Sequence, residues 1–439
     1  MKANTYKVSN IYAKIDEKKR QTPLVVSVPG SKSLTNRALL LATLAEGTST
    51  LRGVLFSDDS RHFLKCVQDL GFETEVDEAA RVVRVTGLGG TVPKPEANQY
   101  VGSAGTAARF LAAYLGVSNG TYHMDSSEQM RKRPMAPLLT SLKELGCEIE
   151  FEGVEGCFPF TLKSHGFGTD RISVNIEHSS QFLSALLIAS CLSPKDMHIG
   201  VEGSHGMAYI EITRKMMEQF GVKVTVSQAG QVYIVPAGQH YNALDYQIEP
   251  DASGAAYFYA LGMVLGVPVK VRHITFHSMQ GDILFLKILE QMGAVLQEAE
   301  DGIVLLPPAD GTYHGVDADM SACSDQAITL AAIAPFADSP TIIRGIGHIR
   351  YQECNRMQAI VTELGKMGIH CEETDTTITI YPDTPRPSLV DTYDDHRMAM
   401  GFSLIGLRAE GIEIDNPECC RKTFENYFRC LGSCIDNLL

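Results

Sequence analysis

The segment from Pro29 to Arg37 combines small polar residues with two cations at the point where an apolar strand meets a helix. The rest of that helix is strongly apolar, and a helix that is apolar on nearly all sides is buried. Lys32 and Arg37 therefore cannot both be solvated. Together with serine hydroxyls and the free N–H groups of a helix start, they predict an anion-binding site. The spacing of a P-loop is absent, so the site is of another kind.

Five more helices share this design, with a small polar start followed by apolar residues. The six segments are SKSLTNRALLLATLA, SAGTAARFLAAYLGV, SSQFLSALLIASCL, DASGAAYFYALGMVLG, SDQAITLAAIAPFA and DDHRMAMGFSLIGL. In equivalent places they carry Lys32, Thr106, Gln181, Asp251, Asp325 and His396. Any one such start also fits ordinary capping by Ser or Asp. Six of them favour helix starts that face ligands.

The whole chain has the pattern of a repeat of about 75 residues that shortens in the last copy. Each copy has a second helix that we expect to end at an apolar residue followed by Gly, the residue best suited to the left-handed conformation there. These pairs are Leu70-Gly71, Leu145-Gly146, Phe220-Gly221, Met292-Gly293, Met367-Gly368 and Leu431-Gly432. After the first five pairs the pattern is typical of strand, turn and strand.

A chain of 439 residues exceeds one ordinary core. We expect the six units to divide three and three, into an N-terminal globule of residues 29–248 and a C-terminal globule of residues 1–28 and 249–439. A cleft between two such globules is the expected ligand site.

Composition excludes several classes of function. A net charge of -14 argues against nucleic-acid or anionic-membrane partners held by bulk electrostatics. Eleven scattered cysteines and a charged N-terminus indicate a cytoplasmic protein with reduced thiols and no signal peptide. No apolar run is long enough to span a bilayer. The cysteines nearest each other, Cys419, Cys420, Cys430 and Cys434, lack the paired spacing of a zinc site, so no metal and no cofactor are expected.

The motif PGSKSLTNRALLLATLA resembles the opening signature of the enolpyruvyl transferase family, and within it the carboxyvinyltransferases that act on shikimate 3-phosphate. Further motifs of that family follow in order: GSAGTAARFLA at Gly102, RKRPM at Arg131, SSQFL at Ser179, EPDASGAAYF at Glu249, SDQA at Ser324, IRYQECNR at Ile349, DDHRMAM at Asp394 and RKTF at Arg421. The resemblance implies an α/β fold of two domains, each built from three βαβαββ units with pseudo-threefold symmetry (an inside-out α/β barrel).

The implied reaction transfers the enolpyruvyl group of phosphoenolpyruvate to the 5-hydroxyl of shikimate 3-phosphate, in aromatic amino acid biosynthesis, and releases phosphate through a tetrahedral intermediate. The resemblance also implies that glyphosate competes with phosphoenolpyruvate. By the same resemblance Asp325 is the base, Glu353 the acid that later recovers its proton, and Lys32 a partner in the proton transfers. From its position alone, Asp325 also fits the N-cap of a helix, a role that is compatible with that of a base.

The resemblance also assigns residues to each substrate. Those for shikimate 3-phosphate are Lys32, Ser33, Arg37, Ser179, Ser180, Gln181, Tyr209, Asp325, His348 and Gln352. Those for phosphoenolpyruvate are Lys32, Gly105, Arg133, Gln181, Arg356, Arg397 and Lys422, since an anion with a carboxylate and a phosphate needs several cations. Arg109 matches the pattern as a supporting residue. These two small molecules are the only partners expected, and the chain is expected to act as a monomer.

The chain departs from the family pattern at three substrate-side positions. Gln352 stands where Lys is usual, His348 where Asn is common, and Gly206 where Ser is usual, so that Ser204 or His205 would have to substitute. A neutral amide at 352 can donate a hydrogen bond but cannot act as a cation.

Two alternatives stay open from the residues. One is the same reaction on a nucleotide sugar, as in UDP-N-acetylglucosamine 1-carboxyvinyltransferase. Against it, Lys32 is followed by Ser33 and not by Asn, and no cysteine lies between Gly105 and Met130. The other is a non-catalytic phosphometabolite-binding protein on the same fold.

Overall fold

The computed structural model describes residues 5–204, 206–227 and 230–439. It contains two compact units, which we call the N-unit (Gly30–Ile248) and the C-unit (the N-terminal segment through Pro29 with Glu249–Leu439). The division differs by one residue from the predicted one, which placed Pro29 in the N-terminal globule. The reason is a hydrogen bond of 2.8 Å from Asp251 N to Pro29 O, which ties Pro29 to the C-unit.

Helices and strands alternate along the described residues. The α-helices are α1 Lys32–Leu44, α2 Asp58–Asp69, α3 Gly105–Gly116, α4 Glu128–Arg131, α5 Ala136–Glu144, α6 Gln181–Ser190, α7 Met207–Gln219, α8 Ala252–Leu265, α9 Phe285–Gln291, α10 Ala327–Ile333, α11 Arg356–Lys366, α12 His396–Gly406 and α13 Tyr427–Leu438. The strands to Gln247 are β1 Thr5–Lys7, β2 Leu24–Val26, β3 Glu46–Arg52, β4 Glu73–Asp77, β5 Val82–Leu88, β6 Glu96–Tyr100, β7 Asn119–Asp125, β8 Glu148–Phe151, β9 Phe160–His165, β10 Arg171–Asn175, β11 Met197–Glu202, β12 Thr225–Val226, β13 Val232–Val235 and β14 Asp245–Gln247. The later strands are β15 Val269–Arg272, β16 Val295–Ala299, β17 Gly302–Leu306, β18 Asp317–Asp319, β19 Thr341–Arg344, β20 Cys371–Glu373, β21 Ile378–Ile380, β22 Ser388–Val390 and β23 Ile412–Asp415.

Each sheet of the N-unit has a parallel pair of strands at one side and antiparallel strands at the other. The strand orders are β14-β3-β5-β4, β6-β7-β9-β8 and β10-β11-β13-β12. In the first sheet the parallel partner of β3 is β14, the last strand of the unit. The segment that begins the unit and the segment that ends it therefore share one sheet.

The C-unit repeats this arrangement with strands drawn from both ends of the chain. Its sheets have the orders β16-β17-β15-β2, β18-β19-β21-β20 and β1-β23-β22. β2 pairs in parallel with β15, and β1 pairs antiparallel with β23. The N-terminal strands thus belong to this unit, as the sequence predicts.

The strongly apolar helix of each repeat is buried, as its sequence predicts. All fourteen residues of α8 are buried, and in α12 every residue from His396 to Gly406 is. Because the polar groups of such a helix cannot reach water along its length, its polar residues are concentrated at the start. None of the helices in the described ranges is long and apolar enough to cross a membrane.

The predicted glycine stops hold for five of the six repeats. Gly71, Gly146, Gly221, Gly293 and Gly368 all have positive φ. The sixth prediction was wrong, because Gly432 lies inside α13. Leu431, Cys434, Ile435 and Leu438 are buried on that helix, and this spacing continues one apolar face past the glycine.

Candidate active site

Lys32 is the first residue of α1. Its side chain is 16% exposed, and its ammonium lies 3.7 Å from the Oδ2 atom of Asp59 near the start of α2. That separation is long for a hydrogen bond, and an ammonium has three donors. Lys32 therefore keeps the capacity to donate to an anionic ligand.

Arg37 lies one turn further along α1 and is buried. Its guanidinium donates to Thr213 Oγ1 at 2.8 Å and to the carbonyl oxygens of Ser33 at 3.1 Å and Tyr209 at 3.2 Å. Burial lowers the pKa of Arg37 to about 10, with Tyr209 opposing the shift, so the group stays charged at neutral pH. These bonds hold Ser33 and Tyr209 in place; direct contact of Arg37 with a substrate stays a prediction.

Gly105, the first residue of α3, lies against two guanidinium groups. A methyl group at this position would lie 2.5 Å from Arg109 Nη1 and 2.8 Å from Arg133 Nη1. Arg109 is buried and donates to Gly105 O at 3.1 Å and to Gln181 Oε1 at 3.3 Å. The absence of a side chain at Gly105 therefore lets Arg133 approach the helix start. Arg109 holds Gly105 and Gln181 through these contacts, and its supporting role in the site stays a prediction.

The start of α6 brings Ser179, Ser180 and Gln181 together. Gln181 N donates to Ser179 Oγ at 3.3 Å, so this serine is engaged with the helix start. Gln181 Nε2 donates to Thr106 Oγ1 of α3 at 3.5 Å. Two of the six predicted helix starts thus contact each other through side chains.

Gly206, where the family pattern has serine, is left-handed with φ of 67°. A methyl group there would lie 2.6 Å from Ser180 Oγ. Ser180 therefore occupies the space that a side chain at 206 would need. Ser204 is exposed, and His205, its predicted alternative, lies outside the described residues.

In the C-unit, Asp325 lies in the short turn Ser324–Gln326 that leads into α10. Its Oδ2 atom accepts a hydrogen bond of 2.7 Å from Arg397, and its Oδ1 atom accepts one of 3.2 Å from Arg356. Asp325 thus bridges two of the cations predicted for phosphoenolpyruvate. Two adjacent positive charges favour the ionised form that a base requires.

Arg356, the first residue of α11, is the centre of this network and only 2% exposed. It donates to Asp395 Oδ2 at 2.7 Å and to Glu353 Oε2 at 2.8 Å, besides Asp325. Burial alone lowers the pKa of Arg356, but Asp395, Glu353 and Asp325 raise it more, so the net shift is upward. The guanidinium is therefore permanently charged.

Glu353 also bridges two cations. Its Oε1 atom lies 3.2 Å from the ammonium of Lys422, which ends the turn Pro417–Lys422. Both side chains are 9% exposed. Every predicted phosphoenolpyruvate cation of the C-unit therefore contacts a candidate proton-transfer carboxylate: Arg356 contacts both, Arg397 contacts Asp325, and Lys422 contacts Glu353.

Asp395 is a residue of this network that we did not assign from the sequence. It is fully buried, caps α12 by accepting a bond of 2.9 Å from Arg397 N, and holds Arg356 through both oxygens. Tyr393 and Asp394 before it both have positive φ, of 53° and 56°, which is rare for residues other than glycine. The paired aspartates of the motif DDHRMAM were the available signal.

The two departures from the family pattern in this unit lie close to Asp325. His348 Nε2 lies 2.9 Å from Ser324 Oγ, next to Asp325 in the chain. Gln352 Oε1 accepts a hydrogen bond from Arg356 Nη1. The amide oxygen of Gln352 is thus bound to the protein, which leaves its NH2 group as the part suited to a substrate hydroxyl.

The described residues contain no group of three or more His, Cys, Asp or Glu side chains placed to hold a metal ion. What the geometry provides is a set of proton-transfer groups next to fixed positive charge. Such an arrangement suits transfer reactions of an anionic substrate.

Comparison with known proteins agrees with this chemistry. The family model of EPSP synthase (3-phosphoshikimate 1-carboxyvinyltransferase) matches residues 17–431. A 3-phosphoshikimate 1-carboxyvinyltransferase from Trichormus variabilis is 45% identical over 410 residues, which cover 93% of this chain and 96% of the relative. One from Vibrio atlanticus is 39% identical over 407 residues, covering 92% and 95%.

Solved structures share the fold. An EPSP synthase from Acinetobacter baumannii superposes with a TM-score of 0.78 at 24% identity, covering 98% of this chain and 97% of that one. An enolpyruvyl transferase from Streptomyces tendae gives 0.69 at 16% identity, covering 97% and 96%.

Proposed function

The chain belongs to the EPSP synthase family and transfers the enolpyruvyl group of phosphoenolpyruvate to shikimate 3-phosphate in aromatic biosynthesis, and we propose the following roles for its residues. The observation that carries the proposal is the cluster in which Asp325 and Glu353 each bridge two cations. The nucleotide-sugar reaction and a non-catalytic binding role have no comparable support, because the relatives reported above are 3-phosphoshikimate 1-carboxyvinyltransferases.

Asp325 removes the proton from the 5-hydroxyl of shikimate 3-phosphate as the hydroxyl oxygen attacks C2 of phosphoenolpyruvate. Glu353 gives a proton to C3, which becomes a methyl group in a tetrahedral intermediate. Glu353 then takes that proton back as the double bond re-forms and the C2–O bond to phosphate breaks. The hydroxyl proton held by Asp325 passes to the departing phosphate, whose charge Lys32 stabilises.

The ion pairs of Glu353 explain how one carboxyl can act as both acid and base. While Arg356 and Lys422 contact it, the ionised form is favoured. A phosphoenolpyruvate anion that binds the same cations competes with Glu353 for them. Weaker pairing favours the protonated form, which is the form an acid needs.

The remaining assignments follow the sequence. We propose that phosphoenolpyruvate is bound by Lys32, Gly105, Arg133, Gln181, Arg356, Arg397 and Lys422. We propose that shikimate 3-phosphate is bound by Ser33, Ser179, Ser180, Gln181, Tyr209, His348 and Gln352, with Lys32 and Asp325 in contact and Arg37 holding Ser33 and Tyr209.

A cytoplasmic monomer completes the proposal. All eleven cysteines are free thiols, which suits a reducing compartment. The roles proposed above draw on one copy of the chain. Light scattering of the purified enzyme should give about 48 kDa; a stable dimer would contradict this part.

Asp325→Asn and Glu353→Gln test the roles, because each removes the proton-transfer group and keeps the volume of the side chain. We expect each to lower kcat by about 10²–10⁴-fold, measured as phosphate release from both substrates. Asp310→Asn, at an exposed carboxylate, is the control. Turnover like that of the wild type in either active-site variant would refute its assignment.

A further inference from the structure

Asp282 is a further buried carboxylate of the C-unit. It lies beside the turn that contains Asp325 and has no role in the scheme above. The residue is 6% exposed. Its Oδ1 atom accepts a hydrogen bond of 3.1 Å from Nε2 of Gln326, the residue that follows Asp325. Burial of a carboxylate against a neutral amide destabilises a protein, so its presence calls for a compensating role.

The segment around Asp282 connects two elements that both contact Arg397. Gln280, two residues earlier, accepts a hydrogen bond of 3.1 Å from Ala252 N at the start of α8. Asp282 holds the turn before α10 through Gln326. Arg397 in turn donates to Tyr257 of α8 and to Asp325 of that turn. The segment therefore fixes the supports on both sides of the arginine that binds the base.

Charged and titratable groups face Asp282 from three elements. Asp325 and Cys323 belong to the turn before α10, Arg397 to α12, and Asp251 caps α8. Burial, followed by the charge of Asp325, raises the pKa of Asp282 to about 6, and Arg397 opposes the rise. Asp282 is thus mostly ionised at neutral pH, and the repulsion between two carboxylates acts on both of them.

We propose that Asp282 is a positioning residue for the base: it holds the Ser324–Gln326 turn through Gln326, and its negative charge offsets the pull of Arg356 and Arg397 on the proton affinity of Asp325. A carboxylate held between two arginines alone is a weak base. With Asp282 ionised nearby, Asp325 stays oriented by the arginines and still accepts a proton readily. The inference rests on the assignment of Asp325 as the base.

Asp282→Asn separates charge from shape, because asparagine can still accept the hydrogen bond from Gln326. We expect the acid limb of the pH profile of kcat/KM to move to lower pH by about 0.5–1 unit and the plateau of kcat to fall about 3- to 10-fold. Gln326→Leu breaks the hydrogen bond and keeps the charge. We expect it to lower kcat without moving the limb. Asp310→Asn is the control with an unchanged profile.

The outcomes separate this inference from the proposed function. If Asp325→Asn is inactive while Asp282→Asn shows the wild-type profile, the role of Asp282 is refuted and the base assignment stands. If Asp325→Asn is active, both are refuted. An Asp282→Asn protein that does not fold also contradicts the inference, because removal of a destabilising buried charge should leave the fold intact.

Discussion

Replacement of Gly105 by alanine tests the packing of the phosphoenolpyruvate cations in the N-unit. The backbone of Gly105 is outside the left-handed region, so alanine introduces no backbone strain and acts only through its methyl group. That methyl would lie 2.5 Å from Arg109 Nη1 and 2.8 Å from Arg133 Nη1. Both separations are too short for real contacts, so both guanidinium groups must shift.

The size of the effect on phosphoenolpyruvate binding follows from how far each arginine can move. Arg109 is held by Gly105 O, Gln181 Oε1 and Pro134 O within a buried site, whereas Arg133 is partly exposed. Arg109 can therefore shift only slightly, and Arg133 is the group expected to move further and to lose its contact with the ligand. Loss of one charge-assisted hydrogen bond to the ligand corresponds to about 1.5–3 kcal/mol, or about a 10- to 150-fold increase in KM for phosphoenolpyruvate.

Steady-state phosphate release, with each substrate varied in turn, measures this increase. We expect KM for shikimate 3-phosphate to change much less, and the inhibition constant of glyphosate against phosphoenolpyruvate to rise in parallel. Gly432→Ala is the matched control, because nothing lies within 4 Å of its added methyl inside α13; it should leave kinetics unchanged. If Gly105→Ala changes KM for phosphoenolpyruvate by less than about threefold, or inhibition by glyphosate is equal in both forms, the packing argument fails.

Three further perturbations test other contacts. Asp395→Asn leaves the buried charge of Arg356 with one carboxylate fewer, so the free energy of unfolding in urea should fall by about 3–5 kcal/mol. The control is Asp317→Asn in the exposed pair with Arg344, for which we expect a loss of less than about 1 kcal/mol. Equal losses would contradict the central place of Arg356 in the network. Because burial raises the pKa of Asp282 to about 6, the folded state binds more protons than the unfolded state between about pH 4 and pH 6, and ionised Asp282 destabilises the protein above that range. Asp282→Asn should therefore raise the free energy of unfolding by about 1–3 kcal/mol at pH 8 and by little below pH 4, and a variant less stable than the wild type at pH 8 would reverse this sign. Arg37→Lys loses the forked contacts to Thr213, Ser33 and Tyr209, so KM for shikimate 3-phosphate should rise about tenfold with little change for phosphoenolpyruvate; the opposite selectivity would show that these contacts serve the other ligand.

The repeat, and the helices and strands within each repeat, could be predicted from the sequence alone. Helices such as α8 are apolar on every side, and this property is visible without coordinates. The left-handed glycines at five helix ends are also predictable from the sequence, because glycine adopts that conformation more easily than other residues. The error at Gly432 arose because a glycine is also tolerated inside a helix whose apolar face continues on both sides of it.

The family resemblance of the sequence also predicts the cations of the site, but it does not give their partners. No role could be assigned to Asp395 or Asp282 from the sequence, because each makes its contact with a residue far along the chain, Arg356 in one case and Gln326 in the other. Local patterns record helix caps and periodicity, which depend on near neighbours. They do not record which carboxylate reaches a given arginine.

Sequence therefore determined the architecture, since helices and strands follow from short-range preferences and burial, and its family resemblance predicted the residues of the site. Tertiary structure decided the electrostatics: that Asp325 and Glu353 each bridge two cations, and that Gly105 leaves room for two guanidinium groups. Charge interactions depend on distance and burial, and only the packing of distant segments sets those two quantities.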